Sequence, residues 1–410
     1  MVMPKLLQIN ATCNWGSTGK IVEQISHVAS SRGWECYVAH GARYVGKSKF
    51  PTFQVCSRNE ENLHWMKSFA LDAHGLGSQR GTKRLVDWIE QIKPDVVHLH
   101  NIHGYYVNIP ILFNYLYEKR IPVVWTLHDC WSFTGHCVYF DLIACDKWKS
   151  HCEHCPQIHT YPKALIDKSS RNYELKKRLF TSVQNMTIVP VSEWLQNLVT
   201  QSFLAKYPIH TIHNGIDLDK FKPCMSDFRK RYSLEGKFVV LGVADGYGER
   251  KGLQDFNRLS QMLGDNAKIV MVGLSEKDKE KVSGNIIGLG RTSTQQELID
   301  IYSAADVFIN PTYEDNFPTT NLEALACGTP VVTYRTGGSP EAVDEHTGIV
   351  VKKGDLDGLI QAVMSIMVSG KSSYSKACVD RAASNYNKAD RFCEYIELYD
   401  IVTQNNTCRG

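Results

Sequence analysis

The stretch Asn310-Pro-Thr-Tyr-Glu-Asp-Asn-Phe-Pro-Thr-Thr-Asn-Leu-Glu-Ala-Leu-Ala-Cys-Gly-Thr-Pro-Val-Val332 decides the fold. The run Asp306-Val-Phe-Ile309 before it ends in Asn-Pro, as a buried strand running into a loop does. A short helix is expected next. Thr320 is placed as its N-cap, Leu322, Leu325 and Ala326 supply an apolar face, and Gly328 with Pro330 stops it. Val331-Val-Thr333 reads as the following strand. Strand, helix and strand in this order form a βαβ unit. Its loop lies at the carboxyl end of a strand, where open parallel sheets bind ligands.

Two carboxylates, Asp315 and Glu323, flank that loop with seven residues between them. A loop and the start of a helix can aim both at one ligand, while the backbone N–H groups of Phe317 to Thr320 face an anion. An ionised acid accepts two donors at once, which suits the vicinal hydroxyls of a sugar or ribose. Thr320-x-x-Glu323 is equally a capping box, and Asp315-Asn316 are equally turn residues. Both readings stand at this point.

The stretch resembles the nucleotide-sugar signature of glycosyltransferase family 4, retaining enzymes of the GT-B fold. That signature is Glu-Gly-Phe-Gly, four residues, then Glu-Ala. Here it reads Asp315-Asn-Phe-Pro318, Thr-Thr-Asn-Leu, Glu323-Ala324, and Ala326-Cys-Gly-Thr-Pro-Val-Val332 follows the family's run. Asp315 replaces the family's first Glu, with Glu314 as the alternative carboxylate one register earlier. The resemblance implies an α/β GT-B fold: two doubly wound, Rossmann-like domains facing across a cleft. It places Glu323 at the ribose, Asp315 at the donor sugar, and Asn316, Phe317, Pro318 and Thr319 along the donor.

A chain of 410 residues exceeds one ordinary core, so two domains are expected. The first is residues 1–217, with a cysteine-rich insert at about 136–156, completed by a C-terminal helix at 390–410. The second, 218–389, holds the nucleotide sugar. Asn214-Gly-Ile-Asp217 is a turn signal, and the polar stretch from Lys220 to Lys237 marks the boundary.

In the first half, Leu6-Leu-Gln-Ile9 is a strand that runs into Asn10-Ala-Thr-Cys-Asn-Trp-Gly-Ser-Thr-Gly19 and then a helical pattern at Ile21, Val22, Ile25, Val28 and Ala29. Gly16 and Gly19 let the chain pass close to a ligand, and Ser17 or Thr18 is the expected cap. Pro94–Asn101 and Ile121–Asp129 are further strands, with His98, His100, His103 and His128 at or just beyond their polar ends. His98 and His100 read as hydrogen-bonded scaffold. In the resembling family the first loop reaches the donor diphosphate and the acceptor. His128 matches the family's histidine facing the donor sugar near the reacting carbon, with Asp129 as a candidate orienting partner.

Cys137, Cys145, Cys152 and Cys155 follow, with His136, His151 and His154 interleaved. Cys152-x-x-Cys155 has metal-ligand spacing, and two more cysteines would complete a tetrahedral structural zinc. Buried free thiols and a redox pair stay open beside it. No His-Glu-x-x-His arrangement points to catalytic zinc. The aromatics Trp131, Phe133, Tyr139, Phe140 and Trp148 either stack on a sugar or pack around the thiols.

The second half opens with the strand Lys237–Ala244 and the loop Asp245-Gly-Tyr-Gly-Glu-Arg-Lys-Gly252. Arg250 and Lys251 suit a diphosphate, since two cations offset charge on a departing nucleotide; a solvated basic turn is the alternative. By resemblance Lys251 aligns with the family's lysine, Arg250 stands in for its arginine, and Ile286-Ile-Gly-Leu-Gly290 meets the nucleotide base. Thr336-Gly-Gly-Ser-Pro-Glu-Ala-Val343 adds another wall of the pocket.

The resemblance implies a retaining glycosyltransferase that needs no cofactor for catalysis. Its donor is a nucleoside-diphosphate sugar of UDP or GDP type, and its acceptor a glycan or lipid-linked glycan in surface polysaccharide biosynthesis. A nucleotide-sugar epimerase of the same fold and a non-catalytic sugar-nucleotide-binding subunit are the alternatives. A glycosidase fits less well, because a carboxylate pair needs no phosphate-binding Arg and Lys. A net charge of +3 gives no argument for nucleic acid. Hydrophobic content of 43% and charged content of 22% are those of a globular chain without a spanning segment. With no export signal, a cytoplasmic location is expected, with the 13 cysteines reduced or metal-bound. A lipid-linked acceptor leaves open a peripheral contact of the first domain with the cytoplasmic face of the inner membrane.

Overall fold

Near-continuous apolar runs such as Val96–Leu99 and Val123–Leu127 are the mark of strands covered on both faces, and they form two parallel sheets. The structure, a computed structural model, describes residues 3–282 and 284–407. The first sheet comprises β1 (Lys5–Asn10), β2 (Glu35–His40), β3 (Thr52–Gln54), β4 (Val96–Leu99), β5 (Val123–Leu127) and β6 (Met186–Pro190), in the order β3-β2-β1-β4-β5-β6. The second comprises β7 (Phe238–Val243), β8 (Ala267–Val272), β9 (Ile286–Leu289), β10 (Val307–Asn310), β11 (Val331–Tyr334) and β12 (Gly348–Val351), in the order β12-β11-β10-β7-β8-β9.

Each sheet is wound outward from its first strand, then restarted on that strand's other side. The reversal falls between β1 and β4 in one sheet and between β7 and β10 in the other. In the second sheet the register across it is Val307 to Val240 and Phe308 to Leu241. Loops leaving the carboxyl ends of these strand pairs splay apart, which opens a crevice at each switch point.

The chain divides into a unit of Met1–His213 with Arg391–Gly410 and a unit of Asn214–Asp390. The turn Asn214–Asp217 goes with the second unit because it is bonded there. Ile216 N donates to the Tyr386 carbonyl at 2.7 Å, Lys388 N to the Ile216 carbonyl at 3.0 Å, and Lys388 Nζ reaches Asp217 at 2.6 Å. The last helix starts at Lys388 and is described to Thr407; residues 408–410 of the predicted span 390–410 lie outside the described residues, as do residues 1 and 2 of the predicted first domain. No helix among the described residues is long and apolar enough to cross a membrane.

That last helix closes the core of the first unit. Phe392, Tyr395 and Tyr399 are buried against Leu6, Val96 and Val124. Thr126 Oγ1 donates to Tyr395 OH at 3.1 Å, so His98 Nε2 donates to Thr126 Oγ1 at 2.8 Å and His98 Nδ1 accepts from Tyr399 OH at 2.6 Å. Burial holds this imidazole well below its usual pKa, so it stays neutral. Tyr399→Phe strands the His98 nitrogen. A loss of about 1–3 kcal/mol is expected. Urea unfolding followed by tryptophan fluorescence measures it in this unit alone, since all eight tryptophans lie between Trp15 and Trp194.

Candidate active site

The charged residues singled out in the second half lie on the two loops at its switch point. Lys251, after β7, donates from Nζ to Asp315 Oδ2, after β10, at 2.5 Å; the side chains are 19% and 17% exposed. Arg250 Nη1 donates to the Glu314 carbonyl at 3.0 Å, and Tyr313 N donates back to the Arg250 carbonyl at 2.8 Å. Glu314 itself is buried, so Asp315 is the carboxylate that meets the lysine. The close approach needs glycine. Gly252 has φ +68°, and a Cβ there would stand 2.4 Å from the Pro311 carbonyl oxygen. Gly337 has φ +54°, and its Cβ would stand 1.6 Å from the Asp315 carbonyl oxygen. Gly338 N then donates to the Asn316 carbonyl at 2.9 Å, which seats the segment after β11 against the acidic loop.

The helix Thr319–Ala326 begins two residues earlier than predicted, with Pro318 in the N-cap position and no side-chain cap. Thr320 therefore lies inside the first turn and the capping box does not form. Glu323, four residues beyond the first helical position, is too deep to reach back, and its Oε2 accepts from Tyr302 OH at 2.9 Å. Tyr302 is fully buried, and burial followed by the nearby Glu323 raises its pKa well above the phenolic value. Pro318 has no N–H, so the first-turn N–H groups at this helix start are those of Thr319 and Thr320. Buried Asn316 and Phe317 complete the loop.

A buried polar network holds this helix, and the sequence reading passed over it. Asn310 Nδ2 donates to Asn321 Oδ1 at 2.9 Å, Asn321 Nδ2 to Ser339 Oγ at 3.0 Å, and Thr333 Oγ1 to the Asn310 carbonyl at 3.0 Å. Thr333 and Ser339 share a hydroxyl bond at 2.7 Å. The available signal was Asn321, an amide on the apolar side of a short helix. Gly290 closes β9 at the same edge of the sheet, its carbonyl accepting from Gly273 N at 3.2 Å, with open space where a side chain would stand. The next residue, Arg291, bonds Asp245 in the loop after β7.

In the first unit, Gly16 (φ +64°) opens the helix Gly16–Ser31 beside the switch point. Trp15 occupies the N-cap position with no side-chain bond, so Ser17 and Thr18 are first-turn residues and not caps. A Cβ on Gly19 would stand 2.7 Å from Thr12 Oγ1, so this glycine lets the helix pack on the loop. His128 follows β5. Gln8 donates its amide to the Val22 carbonyl and Ser26 Oγ, so its Oε1 accepts from His100 Nε2 at 2.9 Å. His100 Nδ1 is then the acceptor for His128 Nε2 at 3.1 Å. Burial, reinforced by His103 and opposed by Asp129, brings the His128 pKa down to about 4. The ring is therefore neutral at neutral pH.

Asp129, the candidate orienting partner of His128, is itself held by two other donors. Its Oδ2 takes His103 Nε2 at 2.6 Å and its Oδ1 takes Trp131 N at 2.9 Å, so both oxygens are turned to other donors. Burial would raise its pKa, but His103 and the Trp131 N–H outweigh that and hold it below the usual carboxylate range.

Cys137, Cys145, Cys152 and Cys155 line one cavity of about 20 Å³, with His136, Phe140 and Trp148 in its wall. Cys137 donates to Cys155, which brings the Cys155 thiol down to about 7. Among the described residues these cysteines form no disulfide, and no three His, Cys, Asp or Glu side chains are set for a metal ion. The aromatics pack rather than face a ligand. Trp131, Phe133, Phe140 and Trp148 are buried, with the Phe140 and Trp148 rings 5.0 Å apart. Beneath Trp131, buried Lys176 donates to the Trp131 and Thr134 carbonyls at 2.7 and 3.1 Å, with Nζ 3.5 Å from the indole centre.

The Glycosyltransferase Family 4 profile matches residues 19–220, and the Glycosyl transferases group 1 profile matches residues 237–368. A protein of Escherichia coli K12 designated a colanic acid biosynthesis glycosyl transferase, WcaC, is 25% identical over 320 residues, which is 75% of this chain and 76% of that one. Sucrose-phosphate synthase from Thermosynechococcus elongatus superposes with a TM-score of 0.72 at 16% identity, over 98% of this chain and 100% of that one. Anabaena HepE in complex with UDP superposes with a TM-score of 0.68 at 14% identity, over 97% and 100%. At those identities the likeness carries the GT-B architecture alone.

Proposed function

Because the chain belongs to glycosyltransferase family 4, retaining transferases that use a nucleotide-sugar donor, we propose that it transfers a sugar from a UDP-type donor to a hydroxyl of a growing surface glycan. The observation that carries this reading is the meeting of Lys251, Arg250 and Asp315 beside the start of the helix Thr319–Ala326. A diphosphate entering there would draw Lys251 from Asp315. The carboxylate would then be released toward the donor sugar's hydroxyls.

In this reading the cations and the N–H groups of Thr319 and Thr320 offset the charge that grows on the leaving diphosphate. Glu323 meets the ribose. Neutral His128 serves as a hydrogen-bonding group to the sugar, not as an acid. A leaving phosphate oxygen takes the acceptor proton, so the reaction needs no protein base. The glycan acceptor is supported by the likeness to WcaC, and UDP is the first nucleotide to test because HepE, a protein of the same architecture, holds it.

Melting curves of the wild type, Lys251→Ala and Glu323→Gln with UDP, GDP and ADP at about 1 mM test the pocket by mass action. Gln is chosen because its carbonyl still accepts from Tyr302. UDP is expected to raise the wild-type melting temperature by several degrees and to have little effect on either variant. Product analysis with the matching UDP-sugar, alone and with oligosaccharide acceptors, then separates transfer from epimerisation. No shift with any nucleotide would overturn the assignment.

A further inference from the structure

The helix Arg58–Leu71 is built inside out. Its buried residues are Glu61, His64 and Ser68, while Leu63, Trp65, Met66 and Leu71 are about half exposed or more, at 64, 48, 56 and 52%. A surface helix ordinarily turns its apolar stripe inward. Here the polar face is pinned inside by its bonds. His64 Nε2 accepts from Gly75 N and Gly77 N at 3.1 and 3.0 Å, its Nδ1 is 3.0 Å from Ser78 Oγ, and Glu61 pairs with Arg43 at 3.3 Å. The helix cannot roll to hide its outer face without breaking them.

The apolar row continues off the helix. Leu165 N donates to the Phe69 carbonyl at 2.8 Å, and the Leu165 and Ile166 side chains are 60 and 40% exposed. Cations flank it on both sides. Lys67 and Arg80 line a hollow of about 730 Å³ beside Leu63, in which Arg84 is spent on Glu60, and Lys67, Lys168 and Arg171 line one of about 190 Å³ beside Leu71. The carboxylates in these hollows are already engaged: Glu60 with Arg84 at 3.3 Å, and buried Asp72 with His136 Nδ1 at 2.6 Å and Lys168 N at 2.9 Å.

Single exposed hydrophobic residues are ordinary, but a contiguous row rimmed by one sign of charge is not. We infer that this face docks on an anionic lipid surface, with Leu63, Trp65, Met66 and Leu165 entering the boundary of the acyl region and the cations meeting headgroup phosphates. A second copy of the chain fits less well, because a two-fold contact through this face would set the basic rims of both copies against each other. The inference stands apart from the nucleotide pocket, since its readout requires no donor.

Co-sedimentation of the full chain with vesicles tests it. The wild type is expected to pellet with equimolar phosphatidylcholine and phosphatidylglycerol and to stay in solution with phosphatidylcholine alone. Leu63→Ser with Met66→Ser should weaken that binding about tenfold at an unchanged melting temperature. Trp65→Phe should remove the blue shift of fluorescence on adding anionic vesicles. Indifference of the wild type to the anionic lipid, or undiminished binding by the double variant, overturns the inference. So does a dimer in light scattering that the double variant abolishes, which would give this face to a second copy.

Discussion

Lys251→Met is expected to lower kcat/KM for sugar transfer by about 10²–10³-fold, the scale of losing one charged group aimed at developing negative charge. Stability should fall by about 1–3 kcal/mol, because the pair is more than four-fifths buried and Asp315 is left without its cation, and adding Asp315→Asn should recover most of that loss. The double variant is the test. A purely structural ion pair would regain activity along with stability there, whereas a cation acting on the leaving diphosphate leaves the activity lost. Its charge matters most as the bond to the leaving group breaks, so kcat should fall more than KM rises. Steady-state kinetics with UDP-sugar, read beside urea unfolding, decides the matter. A kcat/KM within about threefold of wild type would remove Lys251 from the mechanism.

The second large effect is on stability against pH. Burial of the Lys176 ammonium lowers its pKa from 10.5 to about 7, only partly countered by Cys152, Cys137, Asp72 and Asp129. Between those values the unfolded chain holds a proton that the folded chain has released. The unfolding free energy contributed by this group therefore rises with pH from about 7 upward, by up to about 1.4 kcal/mol per unit. Below pH 7 the full cost of an ammonium in that place is present. Lys176→Met removes the titration while leaving the Trp131 and Thr134 carbonyls without their donor. The stability of the wild type relative to this variant should therefore increase by about 2–3 kcal/mol between pH 7 and pH 9. Urea unfolding followed by tryptophan fluorescence at both pH values measures it. A difference that does not change with pH would show that the lysine is not buried as a charge.

The loops of the site were legible because strand, loop and helix follow one another in the chain. Asn310-Pro announces a strand end, and Arg250-Lys251-Gly252 announces a tight basic turn. That these two loops bond each other depends on the winding of the sheet, which brings residues 64 positions apart to 2.5 Å. The errors have the same origin. Thr320-x-x-Glu323 has the spacing of a cap, but the helix start is set by Pro318, and Glu323 is claimed by Tyr302, 21 positions away. Asp129 adjoins His128 in sequence, and the fold adds His103 to it and sets His100, itself held by Gln8, against the His128 ring. Asn321, Thr333 and Ser339 escaped notice because each looks ordinary by itself, and only the packed site makes them one network.

Residues 391–407 lie in the first unit although all of the second unit precedes them in the chain. On the ribosome, the first sheet must therefore wait with His98, Thr126 and Val124 uncovered while Asn214–Asp390 is made and folds. An exposed apolar sheet face during that interval is where a chaperone would hold the nascent chain. A stall or frameshift late in the gene would yield a complete second unit joined to a first one that cannot close.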